Sequence, residues 1–213
     1  MRPILLTAAV LAALLTGPLI AQHARLFPPR DLGLLEGPDR DAWQRPDEVM
    51  DALGIAEGSV VADLGAGGGW FTIRLARRVG PNGKVYAEDI QHEMIEAMKR
   101  RVERLDLTKR VEFKLGDAND PKLPTGVLDA ALIVDAYHEM EQPVTLLRNV
   151  AGSLKPTGRI GIVNFTKEGG GPGPPMEERV DPERVIRDAS AAGLRVVARP
   201  NFLRYQYMLV LGK

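Results

Sequence analysis

The sequence predicts a doubly wound α/β domain, a mainly parallel sheet with helices on both faces. Three observations carry this expectation. From residue 46 onward, β-branched runs alternate with apolar stripes at helical spacing, the order that builds a parallel sheet through crossover helices. One run, Leu128 to Val134, is almost wholly apolar, as a strand covered on both faces must be. The first strand also leads straight into a glycine-rich turn, Gly65 to Gly69, with a helical stripe behind it.

Each element follows from its local pattern. Glu48 to Leu53 is a short helix ended by Gly54. Ser59 to Leu64, bounded by glycines, is a short buried strand. Phe71, Leu75, Ala76 and Val79 share one helix face, and Pro81, Asn82 and Gly83 turn the chain into a strand at Lys84 to Asp89. Ile95, Met98, Val102 and Leu105 make the next stripe, and strands follow at Val111 to Leu115 and Leu128 to Val134. Leu147, Val150 and Leu154 mark a further helix, and Arg159 to Asn164 a further strand. Asp181 caps a helix that Pro182 opens and Gly193 closes. Leu194 to Ala198 and Tyr205 to Leu211 are the closing strands; with a short turn between them they run antiparallel. Residues 46–213 are expected to form one domain, which the length of 213 residues and 45% hydrophobic content allow.

Composition removes several classes of function. Twenty-eight Lys plus Arg balance twenty-eight Asp plus Glu, so the general electrostatic footprint of a nucleic-acid binder is missing. With no cysteine there are no disulfides, zinc ribbons, iron–sulfur clusters or thiol nucleophiles. His23, His92 and His138 are too scattered for a metal-ligand spacing, and no metal site is expected.

The first residues stand apart. Ile4 to Ile20 carry no charge and follow Arg2, so residues 1–21 read as a secretory signal peptide with Ala21 before Gln22 as its cleavage point, or, uncleaved, as a membrane anchor. The first reading sends the domain to the periplasm or cell exterior. The second keeps it on the cytoplasmic side of the membrane, which Arg25, Arg30 and Arg40 after the apolar stretch favour. Residues 22–45, rich in Pro, Gly, Arg and Asp, are expected to form an extended arm.

In a sheet of this kind ligands bind outside the carboxyl ends of the strands, so the loops after each strand carry the chemistry. The first reads Asp63-Leu-Gly65-Ala66-Gly67-Gly68-Gly69-Trp70. A dinucleotide fingerprint would need glycine where Trp70 stands, and a P-loop would need Lys followed by Ser or Thr. The pattern that fits is D-x-G-x-G-x-G, whose carboxylate repels a pyrophosphate and suits a ligand carrying an ammonium group. The second strand ends in Glu88 and Asp89; alternation sends Glu88 to the other face and leaves Asp89 to accept both hydroxyls of a ribose. The third loop, Gly116-Asp117-Ala118-Asn119, offers a carboxylate to an exocyclic amine. Each acid alone is equally a turn or cap residue; three in successive loops point to a site.

On these residues the chain resembles the class I S-adenosylmethionine-dependent methyltransferases. The resemblance runs from Val60 to about Phe165, through Val61 to Phe71, Lys84 to Ile90, Gly116 to Ala118 and Leu154 to Arg159. It implies a Rossmann-like seven-stranded sheet of order 3-2-1-4-5-7-6 with the last-numbered strand reversed. It also implies that Asp63, Gly65, Ala66, Gly67 and Gly69 lie along the methionine part of S-adenosyl-L-methionine. Asp89 with Ile90 would hold the ribose, and Asp117 with Ala118 would meet the adenine.

The methyl acceptor in such a fold lies near the end of the fourth strand, here Asp135-Ala-Tyr137-His138-Glu139. Asp135, Tyr137 and His138 are catalytic candidates by that position, with His138 the base. The structural reading of His138, bonded to loop backbone, stands beside it, because transfer from a sulfonium needs mainly in-line positioning. Trp43, Gln44 and Arg45 read as a cover over the cofactor or as simple packing, and Lys167 to Pro175 as a substrate lid or a connector. No Asn/Asp-Pro-Pro-Tyr signature is present, so the expected acceptor is a small molecule or lipid, the latter reached through the N-terminal segment. Two rivals remain at the level of sequence: a non-catalytic module that only binds the cofactor, and a nicotinamide-dependent oxidoreductase, which Trp70 and Asp63 disfavour.

Overall fold

A computed structural model describes residues 26–213. The signal or anchor segment at residues 1–21 lies outside them. Among the described residues no helix is long and apolar enough to cross a membrane.

Seven strands form one sheet: β1 (Val60–Leu64), β2 (Lys84–Asp89), β3 (Val111–Leu115), β4 (Leu128–Val134), β5 (Leu154–Phe165), β6 (Arg195–Ala198) and β7 (Gln206–Gly212), in the order β3-β2-β1-β4-β5-β7-β6. The first five pair in parallel, whereas β7 runs antiparallel to both β5 and β6. The order and the reversed strand are those implied by the resemblance. Three helices, α2 (Pro46–Ala52), α3 (Trp70–Arg78) and α4 (His92–Arg104), cover one face and bury Val49, Leu75, Met98 and Val102 against Val85, Leu132 and Val210. On the other face α5 (Pro143–Ser153) and α6 (Pro182–Ala191) bury Leu147, Val150 and Val185 against Leu64, Ile162 and Leu209. Asp181 caps α6, accepting from the Glu183 amide at 2.8 Å.

Two local expectations change. Leu154, read as the last residue of a helical stripe, instead opens β5, which is twelve residues long rather than the six expected. Pro156 explains it: the residue before a proline is pushed toward extended backbone, so the helix stops at Ser153. The arm is not extended either. Pro29–Leu35 winds into a 3-10 helix and Arg40–Gln44 into α1, with Arg45 at φ 48° as the hinge into α2. Neither piece has an apolar period of its own; both are held by contacts to the glycine turn and the strand ends.

Candidate functional site

The turn after β1 is shaped by backbone that only glycine adopts freely. Gly65, Gly67 and Gly69 lie at φ 64°, 53° and 81°, the three glycines of the D-x-G-x-G-x-G pattern. Space forbids a side chain as well: a Cβ on Gly65 would stand 2.6 Å from Ala136 Cβ, and one on Gly69 2.7 Å from Met98 Cγ. Gly69 then caps α3, so the turn delivers bare backbone amides to the strand ends.

Three carboxylates converge here. Asp63 is buried beneath the turn, where the Thr72 hydroxyl donates to it at 2.6 Å; burial pushes it up to about 6. Asp89 accepts from the Gly67 amide on Oδ2 and from the Gln91 amide on Oδ1, both at 2.9 Å. Burial raises it too. Glu88 does point to the opposite face, yet it returns to the same turn, accepting from the Gly65 amide at 3.3 Å and filling the space a side chain at Gly116 would need. Burial, then the neighbouring Asp89 charge, push it up to about 8.

Beside Asp89 two apolar side chains are left in the open, Ile90 (39% exposed) and Leu115 (46%), at the ends of adjacent strands β2 and β3. Asp117 is exposed and pairs with Lys122 at 3.0 Å, while the Asp117 amide donates to the Asp120 carbonyl in a tight turn that also holds Ala118. The arm crosses this surface. Its Phe27 amide donates to Glu139 at 3.0 Å, its Phe27 carbonyl accepts from Gln91 at 3.0 Å, and Leu32 and Leu35 face Gly67 and Gly68. Glu36 pairs with Arg101 of α4 and fastens the far end.

The acceptor-side candidates separate on inspection. Asp135, at φ 54°, is half-buried; both its oxygens accept from Gln206 Nε2, at 2.7 and 2.9 Å, and desolvation pushes it up to about 7 against the pull of Arg40. Gln206 Oε1 in turn accepts from Gln44 at 2.6 Å, and Gln44 accepts from Arg40 at 3.1 Å. Arg40 stacks on the Trp70 ring at 4.1 Å. Of the expected cover, Gln44 therefore joins the site through this chain. Trp43 packs on Phe165 at 5.6 Å, and Arg45 donates to the Phe202 carbonyl at 2.6 Å. Tyr137 lies only 2% exposed in the core on the α5–α6 face, its hydroxyl donating to Asp188 at 2.9 Å. His138 is half-buried, its Nε2 3.6 Å from Glu139 and its pKa lowered by desolvation. Burial pushes Glu139 the other way, to about 7.

Lys167 to Pro175 folds over Phe165. Arg179 pins it by donating to the carbonyls of Pro174, Thr166 and Gly170 at 2.9 to 3.1 Å. Thr72 and Gln206 were not singled out in the sequence, and Arg40 figured there only as a positive charge after the apolar stretch. Only Thr72 carried a local signal, a hydroxyl in the helix that follows the acidic turn.

The profile described as "Methyltransferase domain" matches residues 61–158. A SAM-dependent methyltransferase from Aquifex aeolicus has a solved structure with a TM-score of 0.82 and 31% identity, covering 87% of this chain and 98% of its own. Among curated relatives, the ubiquinone/menaquinone biosynthesis C-methyltransferase UbiE of Pasteurella multocida is 29% identical over 59% of this chain and 46% of its own length. That of Escherichia fergusonii is 28% identical over 59% of this chain and 49% of its own. The chain spans about half the length of these curated relatives.

Proposed function

This chain belongs to the class I S-adenosylmethionine-dependent methyltransferases, with S-adenosylmethionine as its cofactor, and from that premise we propose that it transfers a methyl group to a small-molecule acceptor. The observation that carries the reading is the convergence of the glycine turn, Asp63, Asp89 and the open apolar side chains of Ile90 and Leu115 at the ends of β1, β2 and β3.

The residues fit the cofactor. The acidic strand ends suit a molecule with an ammonium and a sulfonium group, Ile90 and Leu115 offer apolar surface to adenine, and the turn brings backbone close without side chains. When bound, the cofactor supplies an electrophilic methyl group on sulfur. Asp89 has one acceptor direction on each oxygen committed to the Gly67 and Gln91 amides, which fix the carboxylate and leave one on each for two ribose hydroxyls. Gly65, Ala66, Gly67 and Gly69 line the methionine part above Asp63, and Asp117 with Ala118 meets the adenine edge.

On the acceptor side, His138 is the base: burial holds it neutral at pH 7, so its ring nitrogen is free to take the acceptor's proton. Asp135 is a fixed wall, oriented by Gln206. Tyr137 serves by anchoring the loop to α6. The UbiE relatives make a quinone-related ring carbon the first acceptor to assay.

Incubating the chain with methyl-tritiated S-adenosylmethionine and a fractionated small-molecule extract tests the reading. Label is expected in an organic small molecule. Label only in protein, or none while the cofactor is bound, would overturn it, the latter leaving a cofactor-binding module.

A further inference from the structure

Arg40 is only 9% exposed, and an arginine that deep is ordinarily paired with a carboxylate. This one is not. Its Nε donates to Gln44 at 3.1 Å and its Nη1 to the Leu35 carbonyl at 2.6 Å, and among the described residues it forms no ion pair. Nη2 has no hydrogen-bond partner there, yet it is not one of the sealed unpartnered atoms, which are Trp43 Nε1 and Asn164 Oδ1. One end of the guanidinium fork is therefore open. Nearby cations are already committed: Arg74, over the Trp70 ring at 3.4 Å, pairs with Asp41, and Arg101 pairs with Glu36.

The contacts of Arg40 place its charge beside the cofactor site. The guanidinium lies 4.1 Å from the centre of the Trp70 ring, the first residue of α3 after the glycine turn, and Leu35, whose carbonyl it holds, faces Gly67. Through Gln44 and Gln206 it leads to Asp135 at the end of β4. Neither Asp63 nor Asp135 forms an ion pair among the described residues; desolvation raises both, and the Arg40 charge pulls against it in each. Desolvation also lowers Arg40 itself from the usual arginine range.

The methionine end of S-adenosylmethionine carries an ammonium and a carboxylate on one carbon. Asp63 and Asp135 attract the first and repel the second, so the carboxylate needs a cation placed among the acids. We propose that Arg40 is that cation, that it binds the carboxylate of the cofactor's methionine part through Nη2, and that α1 thereby completes the cofactor site. The proposal rests on the methyltransferase reading above. A planar guanidinium already fixed at Nε and Nη1 loses little further freedom when it takes a carboxylate.

Decarboxylated S-adenosylmethionine keeps the ammonium and the sulfonium and lacks only the carboxylate, so calorimetric titration of both ligands into the full chain tests the assignment. The wild type should bind the decarboxylated ligand about tenfold or more weakly than S-adenosylmethionine. Arg40→Gln should weaken S-adenosylmethionine by a similar factor and leave the decarboxylated ligand nearly unchanged, so that the two bind alike. A merely structural role would weaken both equally. Arg40→Lys, which keeps the charge without the fork, should still prefer S-adenosylmethionine by a smaller factor, and it carries the test should Arg40→Gln fail to fold. Equal affinity of the wild type for the two ligands, or a variant that discriminates between them as strongly as the wild type, would overturn the assignment and leave the methyltransferase reading standing. If the wild type binds neither ligand, both fall.

Discussion

Glu88 and Asp89 are adjacent acids on one strand, yet the turn uses them differently. Glu88 is walled in by Gly65 and Gly116, whereas Asp89 is fixed by two amides and retains free acceptor capacity. Asp89→Ala should therefore weaken S-adenosylmethionine binding by about 1.5 to 3 kcal/mol, roughly ten- to a hundredfold, on a folded protein. For His138→Ala, steady-state assays with the true acceptor should show turnover falling about a hundredfold with cofactor affinity unchanged; equal turnover makes the histidine structural. Tyr137→Phe should leave turnover intact and lower the melting temperature, since it removes a partly buried hydrogen bond to Asp188. Asp63, the glycines and Asp89 were legible in the sequence because the turn's backbone demands those residue types. The Gln44–Gln206 bond was not, because its partners lie 162 residues apart and neither belongs to a local pattern.

Strands and helices were largely readable, since a sheet covered on both faces writes its burial into continuous apolar runs and its helices into stripes. The arm was not. Its 3-10 helix and α1 are stabilised by tertiary contacts, Leu32 and Leu35 on the glycine turn and Arg40 on Trp70, and such contacts leave no periodicity. Lys167 to Pro175 likewise appeared only as a Gly- and Pro-rich stretch, whereas the hydrogen bonds that hold it come from the Arg179 guanidinium just beyond its end. Arg179→Ala should free the Gly170 and Pro174 carbonyls of this stretch together with that of the preceding Thr166. Limited proteolysis should then cut within 167–175 faster than in the wild type, and the acceptor KM should rise while cofactor affinity holds. An unchanged cleavage rate would mean that Arg179 does not hold this stretch.

Across the whole molecule the strand ends gather acids whose folded pKa values lie above their ordinary ones: Asp63 at about 6, Asp135 and Glu139 at about 7, and Glu88 at about 8. The ligand-free fold thus holds more protons than the unfolded chain between the ordinary carboxylate range and about pH 8. Its stability is greatest at the acid end of that window and is lost as pH rises through these values. Melting temperature without ligand should fall from about pH 5 to about pH 8, and Glu88→Gln should flatten the alkaline part. A cationic ligand reverses the sign, since it favours the ionised acids, so affinity for S-adenosylmethionine should rise over the same range. Calorimetric titration of S-adenosylmethionine into the wild type and Asp89→Ala, with folding checked by circular dichroism, examines the cofactor site itself. Saturable one-to-one binding by the wild type, with a loss of about ten- to a hundredfold in the folded variant, is the expected result; equal affinity in the two proteins would contradict the site built here from the glycine turn and Asp89.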